Sequence, residues 1–403
     1  MAYGPDTDEL LRRMANIQNK TLDVSRFRIH SLPELPSDLE FLICSYTPIT
    51  VLPSLPATLQ KLWCRNTLLT SLPELPSDLE FLICSDTSIT VLPSLPATLQ
   101  KLWCDNTQLT SLPELPVGLL ELFCDNGQLT SLPELPSTLQ KLDCSSNQIS
   151  RLPELPADLQ NLWCNHTQLT NLPELPVGLL ELYCYNNQLT SLPELPVGLL
   201  ELHCSRTPIT VLPELPSSLK ILICDRCTQV TALPNLPSNL EALSCNYSSF
   251  LTLPELPPKL QRLFISDSQI TSLPELPPDL DTLYCNNTRF TSLPELPSKF
   301  KHLSCVNAKL TTLPELPSTL VLLLCQHTPL FLERNNGESI KEYNLRWRAW
   351  REEEERRMEE AKSMERIQER CSDVKEELMA AAWNPSRVEK LLNYGGFEML
   401  ESF

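Results

Sequence analysis

A five-residue phrase, Leu-Pro-x-Leu-Pro, limits what this chain can fold into more than any other feature. It begins at Leu32 and returns at Leu52, Leu72, Leu92, Leu112, Leu132, Leu152, Leu172, Leu192 and Leu212. After one extra residue it resumes at Leu233, Leu253, Leu273, Leu293 and Leu313. Fifteen copies, nearly all twenty residues apart, imply a solenoid in which each turn of chain contacts only its neighbours.

One unit, Leu112 to Thr130, shows why. Its apolar positions are Leu112, Leu115, Leu119, Leu122, Cys124 and Leu129. Leu122-Phe123-Cys124 alternates in, out, in, which predicts a short strand. Leu112 to Pro116 can be neither helix nor interior strand, because its two prolines lack N–H groups and hold the chain extended. That segment is expected on the outer side of the coil in a polyproline-like conformation. No single unit can bury its own leucines, so stacking must make the core.

The layout Leu-x-x-Leu-x-Cys-x-x-(Asn/Thr)-x-Leu-x-x-Leu-Pro-x-Leu-Pro resembles the leucine-rich repeat superfamily. It is most similar to the shortest class, the Leu-Pro-x type of bacterial effector proteins, over roughly residues 21–332. The resemblance implies a curved solenoid with parallel strands on a concave face, and a macromolecule bound on that face. It is silent about chemistry, since one fold hosts many functions.

The formal charge of −18 disfavours nucleic acid or an anionic membrane as a general partner. Part of it is local. Glu34, Glu74, Glu114, Glu134, Glu154, Glu174, Glu194, Glu214, Glu255, Glu275, Glu295 and Glu315 share one position of the unit and are expected to form an outer acidic ridge. Fourteen of the sixteen cysteines, from Cys44 to Cys325, also share one inward position, which Ile265 and Val24 fill elsewhere. Cysteine therefore behaves here as a small buried hydrophobe, and a row of thiols suits a reducing compartment. The N-terminus carries no signal-like pattern and no apolar run can span a bilayer. These features predict a soluble, cytoplasmic protein, in the host cytoplasm if the source is a pathogen.

The ends differ from the middle. Residues 1–20 are read as an N-terminal cap, with a helix over 6–18 and an apolar face of Leu10, Leu11, Met14 and Ile17. Residues 21–332 hold the repeats, and residues 32–71 and 72–111 are nearly the same forty residues. Asn147 and Asn187 occupy the slot that bonds neighbouring coils in many such repeats. Thr47, Thr67, Thr87, Thr107, Thr167, Thr207, Thr288 and Thr328 stand there instead, with Gly127 and Ala308 as blanks, which predicts a weaker ladder. Residues 333–403 are read as a helical cap or tail. A capping box at Ser339-Ile340-Lys341-Glu342 opens a long helix to about Ala381, and Asn384-Pro385 starts a short one. The tail around Trp383-Asn384-Pro385 also resembles tails on proteins of large DNA viruses.

Function is expected on the strand position between the two inward residues. Its occupants include Trp63, Trp103, Phe123, Trp163, Tyr183, His203, Phe264 and Tyr284, which must line up in one row. Cross-strand packing alone could account for the row. Aromatic anchors with a charged rim at Lys61, Arg65, Lys101, Asp105, Glu121, Asp125, Lys141, Asn165 and Glu181 also fit a protein-binding patch. The expectation is a non-enzymatic scaffold for a partner protein, without cofactor or metal, and with the C-terminal helix open to a second partner or to self-association. Carbohydrate is an alternative, since aromatic platforms suit sugar rings. Another is action on the ubiquitin system: Cys371-Ser372-Asp373 matches the Cys-x-Asp of ligases that share this repeat type. The seventy-residue tail is far shorter than such a domain. Cys224-x-x-Cys227 has no second pair or His cluster beside it, so its metal and redox readings are weak.

Overall fold

The computed structural model describes residues 5–310, 314, 317, 319–325, 327 and 328, with side chains from residue 8 onward. The chain divides into two units, Met1–Phe331 and Leu332–Phe403, and all described residues lie in the first. The predicted capping box, the long helix, Cys371 and the Asn384-Pro385 segment fall outside the described residues.

One helix, α1 (Pro5–Ala15), precedes sixteen strands of three residues each. The first eight are β1 (Thr21–Asp23), β2 (Phe41–Ile43), β3 (Lys61–Trp63), β4 (Phe81–Ile83), β5 (Lys101–Trp103), β6 (Glu121–Phe123), β7 (Lys141–Asp143) and β8 (Asn161–Trp163). They continue as β9 (Glu181–Tyr183), β10 (Glu201–His203), β11 (Ile221–Ile223), β12 (Ala242–Ser244), β13 (Arg262–Phe264), β14 (Thr282–Tyr284), β15 (His302–Ser304) and β16 (Leu322–Leu324). All sixteen form one parallel sheet in sequence order.

Each strand reads x-Leu-x, one residue earlier than the alternation alone suggested. Its central leucine is buried in β1 to β15 and half-buried in β16, and it pairs in register with the leucine of the neighbouring coil, as Leu62 does with Leu82. The cysteine that follows, or Val24 and Ile265 in its place, is buried too, but it lies beyond the three-residue strand. The extra residue near Cys224 leaves this register intact, because Leu222 pairs with Leu243. The loop between them absorbs it.

Two turns close every unit. After the second proline, an N–H returns to the proline carbonyl, as Leu59 N does to Pro56 at 3.1 Å. Two residues past the inward cysteine the chain turns through left-handed backbone, at Asn66, Asp86, Asn106, Asn126, Asn186, Asp267, Asn287 and Asn307 among others. Asn and Asp tolerate that conformation better than other side chains, which explains their frequency at this position. Leu32 to Pro36 and its copies through Leu293 to Pro297 contain no helix and no strand; the isolated bridge between Ser31 and Val51 lies just ahead of two of them. Glu34 and the ten equivalent glutamates through Glu295 are exposed, and none pairs with a cation among the described residues.

The core is one continuous column of Leu, Ile and Cys running through the coils. Fully burying each leucine contributes about 1.5–3 kcal/mol, and the column gains this in every coil. Along its edge the slot after the cysteine divides by residue type. Thr67 Oγ1 donates to its own coil's Cys64 carbonyl at 2.9 Å. Asn147 Nδ2 reaches its own Cys144 carbonyl at 3.1 Å and the neighbouring Cys124 carbonyl at 2.9 Å, while its Oδ1 accepts from Leu129 N at 2.9 Å. Threonines such as Thr67 therefore serve their own coil and the asparagines tie two, while Thr167 Oγ1 also meets Asn187 Oδ1 of the next coil at 2.6 Å.

The helix α1 stops at Ala15, short of the predicted residue 18. The Asn16 amide side chain donates to the Arg12 carbonyl at 3.0 Å, and Asn19 and Lys20 take left-handed backbone. Leu10 is buried, and Met14 and Ile17 pack on the core. Leu11, expected on the same face, is exposed. It lies about 100° around the helix from Leu10, outside the stripe that Leu10 and Met14 define.

Candidate functional site: the outer face of the sheet

A three-residue strand with its middle residue inward puts its first and third residues on the other face. Two parallel columns result. The third-residue column holds all eight predicted partner-binding residues: Trp63, Trp103, Phe123, Trp163, Tyr183, His203, Phe264 and Tyr284. Trp103 meets Phe123 edge-on at 5.4 Å between centroids, and Phe123 meets Trp163 at 6.0 Å past Asp143. Trp163 meets Tyr183 at 6.2 Å, and Tyr183 stacks on His203 at 4.0 Å. Phe264 and Tyr284 form a separate pair at 5.3 Å. Trp63 stands apart from this chain of rings, separated from Trp103 by Ile83.

Exposure varies along the column in a way the pattern did not show. Trp63 is 39% exposed and Ile43, Ile83 and Trp103 are half-buried. Phe123, Trp163, Tyr183 and His203 are buried, at 6% or less, and Phe264 and Tyr284 are half-buried again. The accessible aromatic surface is thus concentrated on β2 to β5 and, more modestly, on β13 and β14.

Around Tyr183 the face holds polar groups at close quarters. The Tyr183 hydroxyl donates to Glu201 Oε2 at 2.7 Å, and burial with two nearby carboxylates pushes its pKa up. Burial raises the Glu201 carboxyl as well. Glu181, its register partner, is pushed up to about 7 by burial and then by Glu201. His203 is pushed down to about 3 by burial, so its ring is neutral and neither nitrogen has a hydrogen-bond partner. The ring is buried against Tyr183, with Nε2 3.9 Å from Glu201 Oε2.

The first-residue column carries Phe41, Lys61, Phe81 and Lys101 on β2 to β5, then Glu121, Lys141, Asn161, Glu181 and Glu201. Lys61 Nζ lies 4.5 Å from the Phe41 centroid and 4.8 Å from the Phe81 centroid. Lys101 Nζ is 5.6 Å from Phe81 but donates to Glu121 at 3.1 Å, and Lys141 reaches the same carboxylate oxygen at 3.6 Å. Phe41 and Phe81 belong to this surface although the aromatic row did not include them. The same two-residue period that marked the row also places them there.

The duplication adds a further distinction. Residues 32–71 and 72–111 differ at four positions: Tyr46 against Asp86, Pro48 against Ser88, Arg65 against Asp105, and Leu68 against Gln108. All four lie past the inward cysteine, on the turn edge, and none falls on the eight outward strand positions. Arg65 Nε donates to Asp86 Oδ2 at 2.7 Å, so two of the changed residues tie the copies together. Most of the others line an open groove of about 510 Å³ on that edge. Asn106 donates to Asp86 at 2.6 Å there, and Asn126 donates to Asn106 at 3.0 Å.

The fifteen described cysteines are free and buried. Burial pushes the Cys44 and Cys144 thiols up to about 12, so they stay protonated in the fold. Cys227 donates to the Cys204 carbonyl at 3.3 Å from the slot that Asn holds elsewhere, as a ladder residue would. No cluster of three His, Cys, Asp or Glu side chains suited to a metal occurs among the described residues.

No family model and no curated protein matches the sequence. Solved structures do. YopM from Yersinia enterocolitica WA-314 superposes with a TM-score of 0.63 at 32% identity, covering 82% of this chain and 92% of that one. YopM from Yersinia pestis, described as a leucine-rich effector protein, gives 0.63 at 30% identity, covering 79% and 92%. The functional domain of InlJ from Listeria monocytogenes, described as including a cysteine ladder, gives 0.53 at 22% identity over 68% and 69%. The InlJ likeness speaks to the fold alone.

Proposed function

Since the chain belongs to the leucine-rich repeat family, in the short-repeat class that includes YopM, we propose that it is a non-enzymatic scaffold gripping a partner protein on the outer, concave face of its sheet. The observation that carries this is the open stretch of β2 to β5. There Phe41, Ile43, Trp63, Phe81, Ile83 and Trp103 form a contiguous apolar surface set with Lys61 and Lys101. Large apolar surfaces with a polar rim favour association, and Trp is enriched among residues that dominate binding energy. Both copies of the duplication keep this surface, whereas the turn edge beside it has changed. Phe264 and Tyr284 form the second accessible aromatic patch, and Phe123, Trp163, Tyr183 and His203 tie the face together between the two. Buried, protonated thiols suit the reducing cytoplasm as the place of action.

The test compares full-length chain with a Trp63→Ser/Trp103→Ser variant as bait in a cell lysate. The partner held by the parent chain is lost by the variant, which still unfolds cooperatively, with a urea midpoint lowered only by the lost Trp103–Phe123 contact. Equal retention by a variant that remains folded removes the sheet face as the binding surface. Trp163→Ser is the contrasting control: it opens a cavity at a buried site and lowers the unfolding free energy by the amount expected for a large core truncation, about 3 kcal/mol, with a matching fall in urea midpoint.

A further inference from the structure

Lys61 and Lys101 are the same residue in two copies of the same forty-residue block, yet they sit in different electrostatic states. Lys101 Nζ donates to Glu121 at 3.1 Å. Lys61 has no carboxylate within 4.0 Å and no hydrogen-bond acceptor among the described residues, and its ammonium is held between two phenyl rings. The cause is the neighbour on the C-terminal side. β4 places Phe81 beside Lys61, whereas β6 places Glu121 beside Lys101.

Resting on the sheet-face reading above, we propose that Lys61 is the docking point for a carboxylate on an apolar segment of the partner protein. Phe41, Phe81 and Trp63 wall the point, and Lys101 is its silenced twin. Three physical features favour this occupant. The eight outward positions of β2 to β5 hold no acid, and with Lys101 paired to Glu121 the ammonium of Lys61 gives this stretch a positive charge on a chain of net charge −18. A local patch decides contact chemistry at physiological salt, because fields beyond about 8 Å are screened. The phenyl rings hold the four-carbon stem of Lys61, so less freedom is lost when a carboxylate arrives, and they lower the polarity around the new pair. Finally, a single ammonium flanked by apolar walls matches a single acid flanked by apolar residues. Phosphate favours the bidentate fork of an arginine, and Arg65, two residues past β3, is already committed to Asp86.

Random twelve-residue peptides displayed on phage and selected on the immobilised full-length chain provide the probe. The enriched peptides are then made with a fluorescent label and titrated by anisotropy. Enrichment of Asp or Glu next to Leu, Ile or Phe is expected. Lys61→Gln weakens these peptides several-fold and Lys61→Glu about tenfold or more. Lys101→Gln leaves them within about twofold, and Glu121→Gln tightens them by freeing the second lysine. Peptides without acids, no enrichment at all, or equal losses from Lys61→Gln and Lys101→Gln overturn the proposal. If Trp63→Ser abolishes binding and Lys61→Gln leaves it intact, the sheet face stands and the Lys61 anchor falls. If neither matters, both fall.

Discussion

Asn147 and Gly127 make one coupled element, and its energetics can be worked out bond by bond. In the coil of Gly127 the ladder slot is blank, so the Cys124 carbonyl accepts its bond from Asn147 in the next coil at 2.9 Å. Asn147 also serves Leu129 N, its own Cys144 carbonyl and the Ser145 carbonyl, the last of which has a second donor in Asn126 N. Asn147→Ala therefore leaves three buried backbone groups, Cys124 O, Cys144 O and Leu129 N, without these bonds. At the lower end of the usual penalty, about 1 kcal/mol per buried unsatisfied group, the loss is about 3 kcal/mol. Asn147→Thr keeps the own-coil bond, as Thr67 does, and costs about 2 kcal/mol.

Gly127 then discriminates this account from a simple packing effect. A Cβ at Gly127 would lie 3.0 Å from Asn147 Oδ1, so Gly127→Thr is unfavourable while Asn147 is present. Once Asn147→Thr has removed that amide, Gly127→Thr can serve the Cys124 carbonyl and recovers about 1 kcal/mol. Urea unfolding of the parent, Asn147→Thr, Gly127→Thr and the double variant, compared at constant m-value with Asn147→Ala alongside, measures this sign change as a coupling energy. Equal losses for Asn147→Ala and Asn147→Thr, or additive behaviour with Gly127→Thr, refutes the reasoning.

Two further outcomes follow from the buried groups. The native chain has sixteen cysteines, fifteen of them free and buried, so a thiol reagent labels no more than one quickly, and the rest react only as the coils unfold; fast labelling of several contradicts the cysteine column. Stability also depends on pH in two opposed windows. Glu181, raised to about 7 from 4.5, keeps its proton in the fold after the unfolded chain has lost it, so stability falls as pH rises from about 4.5 through about 7, and Glu181→Gln removes that fall. His203, lowered to about 3 from 6.5, stays neutral while the unfolded chain gains a proton, so stability is lost as pH drops below about 6.5, and His203→Phe removes that loss. Urea midpoints measured from pH 4 to 8 check both; unchanged profiles in the variants count against the burial of these groups.

Much of this fold was legible because the repeat enforces it. The twenty-residue period placed Leu42, Leu62 and their successors inward, Cys44 and its successors beside them, and the aromatic residues in one row. The threonine and asparagine slots could be sorted by their donors and acceptors alone. Local errors arose where a single pattern had two readings: Leu11 is adjacent to Leu10 in sequence but not on its helix face. What the pattern could not give was exposure along the row. Trp63 and Trp163 occupy equivalent strand positions, and one is open while the other is buried. That difference depends on what surrounds each residue in three dimensions, which a repeat unit does not encode. The unequal states of Lys61 and Lys101 arise in the same way, from Phe81 on one side and Glu121 on the other.

Site-specific photocrosslinking tests the central claim most directly. A benzoylphenylalanine placed at Ile83, between Trp63 and Trp103 on the sheet face, is compared with one at Glu134 on the exposed acidic ridge. The account predicts a covalent adduct with the captured partner from Ile83 and none from Glu134. An adduct from Glu134 alone would move the binding surface to the opposite side of the coil and contradict it.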